Sequence, residues 1–343
     1  MVFQPAAEQL PPHIQVMIMM HGFLASQAVH TAAELRLADL VQNGPKSTAD
    51  LASATGTHEG NLYRLLRALV SLGVFSEPDP GTFGPTELSA CLQSDNPRTL
   101  YNLARWIGPL QWKVLGELIY SVRTGKPAFE HLFGKEMWRY FLEDDPEAGT
   151  LFNRSMTSQA GSADERIAEA YDFSAIRTLV DVGGGHGGFL MTVLKRNPAL
   201  RGILFDLPAV IEQARELVAA AGLADRIELV AGDFFQEVPK GGDAYFIRQV
   251  IKDWGDSQCQ IILDNCVRAM NPGGVLLVAE RILGPGRADL LDKLADLALM
   301  VDLPGGFERD EADFRKLFTT AKLAVRRIVP TRSPYKIMEL VPA

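Results

Sequence analysis

The sequence is short of cysteine and of positive charge, and each shortage excludes a class of protein. Its 343 residues include three cysteines, Cys91, Cys259 and Cys266, which are too few for a disulfide framework and contain no C-x-x-C pair. The 34 Lys and Arg against 42 Asp and Glu leave a net charge of −8, whereas proteins that bind nucleic acid or anionic membranes present basic surfaces. The apolar stretch 14–20 is too short to span a bilayer, and no basic residue precedes it as in a signal peptide. We therefore expect a cytoplasmic protein with no nucleic-acid or membrane partner.

Residues 1–100 have the pattern of a small helical domain with a β-ribbon. Apolar side chains recur at three- and four-residue spacing and predict helices over 13–42, 49–55 and 59–72. Val74–Ser76 and Thr82–Gly84 are predicted as strands that follow them. This is the order of a winged helix, for which DNA binding is one interpretation. Because the segment holds five basic and nine acidic residues, we favour a structural or dimer-forming module.

The remaining sequence divides into a helical connector over 101–172 and an alternating β/α domain over 173–343. The predicted strands are Thr178–Val182, Gly202–Phe205, Ile227–Ala231, Ala244–Val250, Val275–Ala279, Ala324–Val329 and Tyr335–Val341. The predicted helices between them cover 187–196, 208–221, 256–270 and 310–321. Alternation of strands and helices indicates an α/β fold with a doubly wound, mostly parallel sheet.

A glycine-rich loop, 183–188, follows the first of these strands and opens a helix. Gly183, Gly185 and Gly188 fit the G-x-G-x-x-G pattern of dinucleotide-binding folds, whereas Gly183, Gly185 and Gly187 fit the D-x-G-x-G-x-G pattern of S-adenosylmethionine enzymes. Asp181 stands two residues before the first glycine. A carboxylate there suits the cationic ammonium and sulfonium of S-adenosylmethionine better than a pyrophosphate.

Acidic residues also end the next two predicted strands. Asp206 lies 23 residues after Gly183, where an acid can bind ribose hydroxyls of either cofactor. Asp233 lies in Ala231-Gly-Asp-Phe-Phe235, where it can accept a hydrogen bond from an adenine amino group while Phe234 covers the ring. A nicotinamide fold does not need that acid. The three strand ends together favour S-adenosylmethionine over a nicotinamide cofactor and over a glycine turn without a ligand.

With these motifs the chain resembles S-adenosylmethionine-dependent O-methyltransferases of the caffeate/hydroxyindole type, which act on small aromatic hydroxyls. The matching segments are Leu37-Ala-Asp-Leu-Val41, Leu65-Leu-Arg-Ala-Leu69, Asp181-Val-Gly-Gly-Gly-His-Gly187, Phe205-Asp-Leu-Pro208, Gly232-Asp-Phe-Phe235, Asp253-Trp254, Gly306-Phe-Glu-Arg309 and Val329-Pro-Thr331. The resemblance implies a Rossmann-like methyltransferase domain with a mostly parallel seven-stranded sheet. It also implies a winged-helix-like, mainly helical N-terminal domain that forms a homodimer.

The resemblance further implies which residues bind ligands. The donor, which leaves as S-adenosylhomocysteine, would contact Asp181, Gly183, Gly185, Asp206, Leu207, Gly232, Asp233, Phe234 and Arg248. Trp138 and Met156 would line the substrate pocket. The six histidines and three cysteines form no cluster with metal-ligand spacing, and we predict no metal.

One position departs from the family pattern. Where the family has the His of a His-Asp-Trp motif as its base, this sequence has Lys252, followed by Asp253. Glu280 and Glu308 match the acids that flank that base. A protonated lysine cannot accept a proton, but it can stabilise an oxyanion or bind a carboxylate.

Several roles for Lys252 stay open from the sequence. It could orient an acidic substrate, act as a base if burial lowers its pKa, or be a solvated side chain while another residue catalyses. Alternatively, the site has left methyl transfer for a hydroxylase, dehydratase or pericyclase reaction with S-adenosylmethionine bound. We predict methyl transfer to an oxygen of a small aromatic secondary metabolite, with Lys252, Asp253, Glu280 and Glu308 as the catalytic group.

Overall fold

The computed structural model describes residues 10–96 and 99–343, and of residues 159–162 the backbone alone. The chain forms two compact units. The first consists of Met1–Lys113 and Asp145–Gln159, and the second consists of Val114–Asp144 and Ala160–Ala343. The start of the predicted domain 1–100 and its residues 97–98 lie outside the described residues. The predicted boundaries at residues 100 and 172 stay predictions.

The first unit is mainly helical and carries a small antiparallel sheet. Its elements are α1 (Pro12–Met20), α2 (Gly22–Glu34), α3 (Leu37–Leu40), β1 (Lys46–Ser47), α4 (Thr48–Thr55), α5 (Glu59–Ser71), β2 (Ser76–Asp79), β3 (Thr82–Gly84), α6 (Glu87–Ala90) and α7 (Tyr101–Trp106), followed by a π-helical turn at Ile107–Gln111. Strands β1 and β2 both pair with β3. Helices followed by this β-ribbon give the winged-helix-like arrangement that the sequence predicted.

Local signals explain where these helices begin and end. The Ser47 hydroxyl caps α4 by accepting the Asp50 N–H at 3.1 Å. The single helix predicted over 13–42 is wrong in its continuity. The chain breaks at His21 and again at Arg36, whose φ of +53° is left-handed and ends helical hydrogen bonding.

The second unit begins with short helices and continues as the sheet domain. After α8 (Trp112–Gly116), the helices are α9 (Leu118–Thr124), α10 (Ala128–Phe133), α11 (Met137–Glu143) and α12 (Pro146–Ala170), the last with residues in both units. The sheet domain then contains β4 (Thr178–Val182), α13 (Gly188–Arg196), β5 (Arg201–Asp206), α14 (Pro208–Ala220), β6 (Ile227–Ala231), β7 (Ala244–Arg248), α15 (Asp256–Ala269), β8 (Val275–Glu280), α16 (Leu290–Asp302), α17 (Glu311–Thr320), β9 (Leu323–Pro330) and β10 (Lys336–Pro342).

The strand order of the large sheet determines where a ligand can bind. The seven strands lie in the order β6-β5-β4-β7-β8-β10-β9, in which the first five are parallel and β10 is antiparallel to both neighbours. The chain reverses its direction of progress across the sheet between β4 and β7. Ligands of open α/β sheets bind at such a switch point, outside the carboxyl ends of the strands.

Apolar layers cover both faces of this sheet, as the doubly wound pattern predicted. One layer contains buried side chains of α13 and α14. The other contains α15 and α17 and includes Cys259 and Cys266, both fully buried core residues. Helix α16 and the short strand β1 were not predicted. No helix in the described part of the chain is long and apolar enough to cross a membrane.

Candidate active site

The loop after β4 has a backbone that only glycine adopts readily. Gly183, Gly185 and Gly187 have φ values of +67°, +59° and +78°. A Cβ added to Gly183 would also lie 2.8 Å from the Val250 side chain, which follows β7. The loop therefore lies directly against the chain that leaves the neighbouring strand, at the switch point of the sheet.

Asp206, at the end of β5, connects that strand to the loop. One of its carboxylate oxygens accepts the Gly185 N–H at 2.8 Å, and the other accepts the Leu207 N–H at 2.7 Å. Burial raises the pKa of Asp206, while these two N–H donors act in the opposite direction. Each oxygen keeps a second lone pair, so the carboxylate can still accept ribose hydroxyls.

The end of β6 lies beside the same loop. The Gly232 N–H donates to the Asp206 carbonyl at 3.0 Å, and a Cβ at Gly232 would lie 2.5 Å from the Phe205 ring. Asp233 accepts the N–H of the residue two positions on at 2.9 Å. A Cβ on Gly183 would lie 3.7 Å from the Phe234 ring. The structure thus brings together the loop and the predicted adenine-binding segment.

Asp181 supplies a buried, unsatisfied carboxylate at the loop. Its side chain is 2% exposed, and its Oδ2 atom has no hydrogen-bond partner within residues 10–96 and 99–343. That oxygen would lie 2.7 Å from a Cβ placed on Gly184. Burial raises the pKa of Asp181 to about 7, against the lowering effect of the Arg248 charge. A cation at the loop would satisfy this oxygen, and the donor set therefore fits the ammonium of S-adenosylmethionine.

Arg248 is already paired. Its guanidinium donates to the Asp164 carboxylate and lies 5.7 Å from the centroid of the Phe189 ring. A direct contact of Arg248 with the donor stays a prediction.

Lys252 lies in a short 3₁₀ turn, Ile251–Asp253, that follows β7. Its Nζ atom is 2.7 Å from a carboxylate oxygen of Asp253. Burial lowers the pKa of Lys252, but the charge and hydrogen bond of Asp253, together with Glu280 and Glu308, outweigh it, and the pKa is raised above its usual value. The ammonium is therefore charged at neutral pH.

Two buried glutamates act on this ammonium through their charge. Glu280 is fully buried, and its Oε1 atom accepts the N–H groups of Val250 and Ile251, both at 3.0 Å. Glu308 is 6% exposed. The Oε2 atom of each glutamate has no hydrogen-bond partner among the residues described. Burial raises the pKa of Glu280 to about 8 and that of Glu308 to about 7, in both cases against the lowering effect of Lys252.

Arg309, whose role could not be predicted from the sequence, holds these groups in place. This fully buried side chain donates to the carbonyls of Ile251 and Trp254, at 2.8 and 3.0 Å, and to the Asp256 carboxylate at 2.7 Å. It thereby secures both ends of the turn that carries Lys252. The Gly306-Phe-Glu-Arg309 segment matches the family pattern, but residue types alone do not indicate which carbonyls the guanidinium contacts.

The two residues predicted to line the substrate pocket belong to different units. Trp138 is half-buried in α11, with its ring centroid 6.2 Å from that of Phe141 in the second unit. Met156 is half-buried in the part of α12 that belongs to the first unit. Their contacts with a substrate stay predictions. No group of three or more His, Cys, Asp or Glu side chains in the described residues is arranged to hold a metal ion, and the absence of a metal also stays a prediction.

Comparisons with known proteins agree on one family. Residues 112–323 match the family model of the O-methyltransferase domain, and residues 17–95 match that of the O-methyltransferase dimerisation domain. The phenazine O-methyltransferase PhzM of Lysobacter antibioticus is 39% identical over 94% of both chains. The mitomycin biosynthesis 6-O-methyltransferase of Streptomyces lavendulae is 40% identical over 94% of this chain and 92% of its own.

A solved structure is similar throughout. It is that of NcsB1, an O-methyltransferase from neocarzinostatin biosynthesis, in complex with S-adenosylmethionine and 2-hydroxy-5-methyl naphthoic acid. It is 34% identical, covers 93% of this chain and 96% of its own, and superposes with a TM-score of 0.82.

Proposed function

This chain belongs to the family of S-adenosylmethionine-dependent O-methyltransferases, and from that premise we propose that it methylates an aromatic hydroxyl held against the Lys252 ammonium. The relatives compared above are O-methyltransferases, which supports methyl transfer over a hydroxylase, dehydratase or pericyclase reaction. One observation carries the role of Lys252. Its ammonium is paired with Asp253 at 2.7 Å, and the charges of Asp253, Glu280 and Glu308 raise its pKa, which supports a role as a cation over a role as a base.

Residues at the ends of β4, β5 and β6 would hold the donor. The unpartnered oxygen of Asp181 suits the ammonium, Asp206 the ribose hydroxyls, and Asp233 with Phe234 the adenine. When bound, S-adenosylmethionine supplies the methyl group: its sulfur–carbon bond breaks as the acceptor oxygen bonds to the methyl carbon, and the electron pair stays on sulfur, leaving S-adenosylhomocysteine.

Lys252 would act on the other reactant. The nucleophile of this displacement is the oxyanion of the acceptor, and a fixed ammonium lowers the cost of forming it. Asp253 holds the ammonium at 2.7 Å and so fixes its position. Acceptors with acidic hydroxyls, such as hydroxynaphthoates or hydroxyphenazines, suit such a site because a cation favours their ionised form.

The first unit supports a homodimer. Six large apolar residues of α1 and α2 are between 47% and 71% exposed, namely Val16, Met17, Met19, Met20, Phe23 and Leu24. A monomer rarely leaves so many apolar side chains of adjacent helices in water. They fall within the segment that matches the dimerisation model. Sedimentation at micromolar concentration should give twice the mass of one chain, and Phe23→Glu should reduce it to one. A cytoplasmic location stays a prediction.

The decisive experiment follows a labelled methyl group. The enzyme is incubated with methyl-labelled S-adenosylmethionine and a panel of hydroxynaphthoates, hydroxybenzoates and hydroxyphenazines, and the products are analysed by mass spectrometry. Lys252→Met should lower kcat by about 10²-fold, the usual cost of losing one oxyanion-stabilising group, while Lys252→Arg, which keeps the charge, should retain more activity. Near-full activity of the Met variant would remove Lys252 from the mechanism.

A further inference from the structure

The geometry around Lys252 also indicates where the acceptor proton goes. Resting on the function proposed above, we infer that the Glu308 carboxylate accepts the proton of the acceptor hydroxyl. A charged lysine cannot take this proton, and the site contains three carboxylates that could.

Hydrogen bonds from both neighbours of Glu308 hold it against the turn that contains Lys252. The Phe307 N–H donates to the Lys252 carbonyl at 2.8 Å, and Arg309 donates to the Ile251 carbonyl at 2.8 Å. Glu308 lies between these two points of attachment. Its own N–H donates to the Asp296 carboxylate at 2.7 Å, which anchors the backbone on the opposite side.

The three carboxylates differ in what already occupies them. Asp253 is engaged by the Lys252 ammonium. Glu280 is fully buried, and its Oε1 atom is held by two backbone N–H groups. Glu308 is 6% exposed, and its Oε2 atom, although buried, has no hydrogen-bond partner among the described residues. Glu308 is therefore the carboxylate of this group that is neither paired with the ammonium nor fully buried.

The charges around Glu308 allow it to hold and release a proton near neutrality. Burial raises its pKa to about 7; Lys252 and Arg281 lower it, whereas Asp292 and Asp296 on α16 raise it. Glu280, at the end of β8, belongs to the same group, and burial raises its pKa to about 8. A group with a pKa close to the working pH is the most effective proton acceptor.

The proton transfer balances without another reactant. The O–H bond of the acceptor breaks, the proton bonds to the Glu308 carboxylate, and the electron pair stays on the acceptor oxygen beside the Lys252 ammonium. After methylation, Glu308 returns the proton to solvent.

The test compares two acceptors that differ in acidity, 2-naphthol and 1-nitro-2-naphthol. Glu308→Gln should lower kcat for 2-naphthol by about 10²-fold and change little for the nitro compound, which is ionised without help. Lys252→Met should lower kcat for both acceptors. A failure of the inference about Glu308 can therefore be told apart from a failure of the role proposed for Lys252. Glu311→Gln is the matched control, since Glu311 is an exposed glutamate of the same unit, paired with Arg315 at the surface. An equal loss for both acceptors, or no loss for either, overturns the inference.

Infrared difference spectra test it without turnover. As the pH is raised from 5.5 to 8.5, the wild-type spectrum should lose the band of a protonated carboxyl group. The same loss should be seen for Glu311→Gln and should be absent for Glu308→Gln. If the wild type and Glu308→Gln share all their titrating carboxyl bands, Glu308 does not titrate and the inference is wrong. The pH profile of kcat/KM for 2-naphthol should rise through a single ionisation near the same pH, and a flat profile would contradict it as well.

Discussion

The donor half and the acceptor half of the site are built in different ways. The donor half consists of the ends of β4, β5 and β6, and its contacts are backbone N–H groups, left-handed glycines and a carboxylate bonded to the loop. The acceptor half consists of the turn after β7, the end of β8 and the 305–309 segment. It is held by buried charged side chains, above all Lys252, Glu280 and Arg309.

Because of this difference, the two halves should tolerate different kinds of substitution. Backbone contacts survive a change of side-chain charge, so the donor half depends on steric space and on the carboxylates at the ends of its three strands. Buried charges depend on one another, because removing one partner leaves the other uncompensated. We therefore expect substitutions in the two halves to affect different measurements.

The largest effect should come from removing the guanidinium of the acceptor half. Arg309→Met removes the guanidinium donor of the Ile251 and Trp254 carbonyls and leaves the space of a fully buried charge to a thioether, and it should lower the free energy of unfolding by about 3 kcal/mol in urea titration. Arg315→Met, which breaks an exposed pair with Glu311, should cost no more than about 0.5 kcal/mol. Equal losses in the two variants would show that Arg309 is not a special support.

The second-largest effect should come from the donor half and should appear as weaker binding of S-adenosylmethionine. Asp206→Ala removes the acceptor of the Gly185 N–H and a ligand for ribose, and should weaken S-adenosylmethionine binding by about 10²-fold in calorimetry. Lys252→Met should leave that affinity unchanged. If Asp206→Ala binds the donor normally, its ribose role is refuted; if Lys252→Met binds it poorly, the two halves are not separate.

Protonation in the acceptor half should appear in the pH dependence of stability. Burial raises the pKa of Glu280 from 4.5 to about 8, so between these pH values the folded chain holds a proton that the unfolded chain releases. Stability must therefore fall as pH rises through this window, by up to about 1.4 kcal/mol per pH unit. Glu280→Gln cannot titrate and should show a shallower decline between pH 5.5 and 7.5 in urea unfolding. Parallel curves for the two chains would mean that Glu280 does not stay protonated.

The smallest effect should come from moving the 305–309 segment slightly. A Cβ at Gly306 would lie 3.1 Å from the carbonyl oxygens of Lys252 and Asp253, so Gly306→Ala should push the segment away and lower kcat by about fivefold, equivalent to ~1 kcal/mol. Gly116→Ala is the control, since nothing lies within 4 Å of its Cβ position. Full activity of Gly306→Ala would show that the spacing between Glu308 and Lys252 is not critical.

Much of the donor half could be predicted because its signals are local. Strand-like runs, glycines at D-x-G-x-G-x-G spacing and acids at three strand ends follow from side-chain pattern and backbone conformation within about ten residues. The same holds for the α4 cap at Ser47. Where local signals were weak, predictions failed: helix α16 was missed, and the breaks at His21 and Arg36 in the first helices were not foreseen.

By itself the sequence determined the alternation of strands and helices, the glycine loop and the presence of lysine in place of histidine, because each is a matter of residue type and spacing. Only the tertiary structure decided that Lys252 stays charged and that the Glu280 and Glu308 carboxyls tend to hold protons. Those properties depend on burial and on charges from segments up to 56 residues apart, from Lys252 to Glu308, which come together only in the folded chain, where β7 and β8 lie side by side.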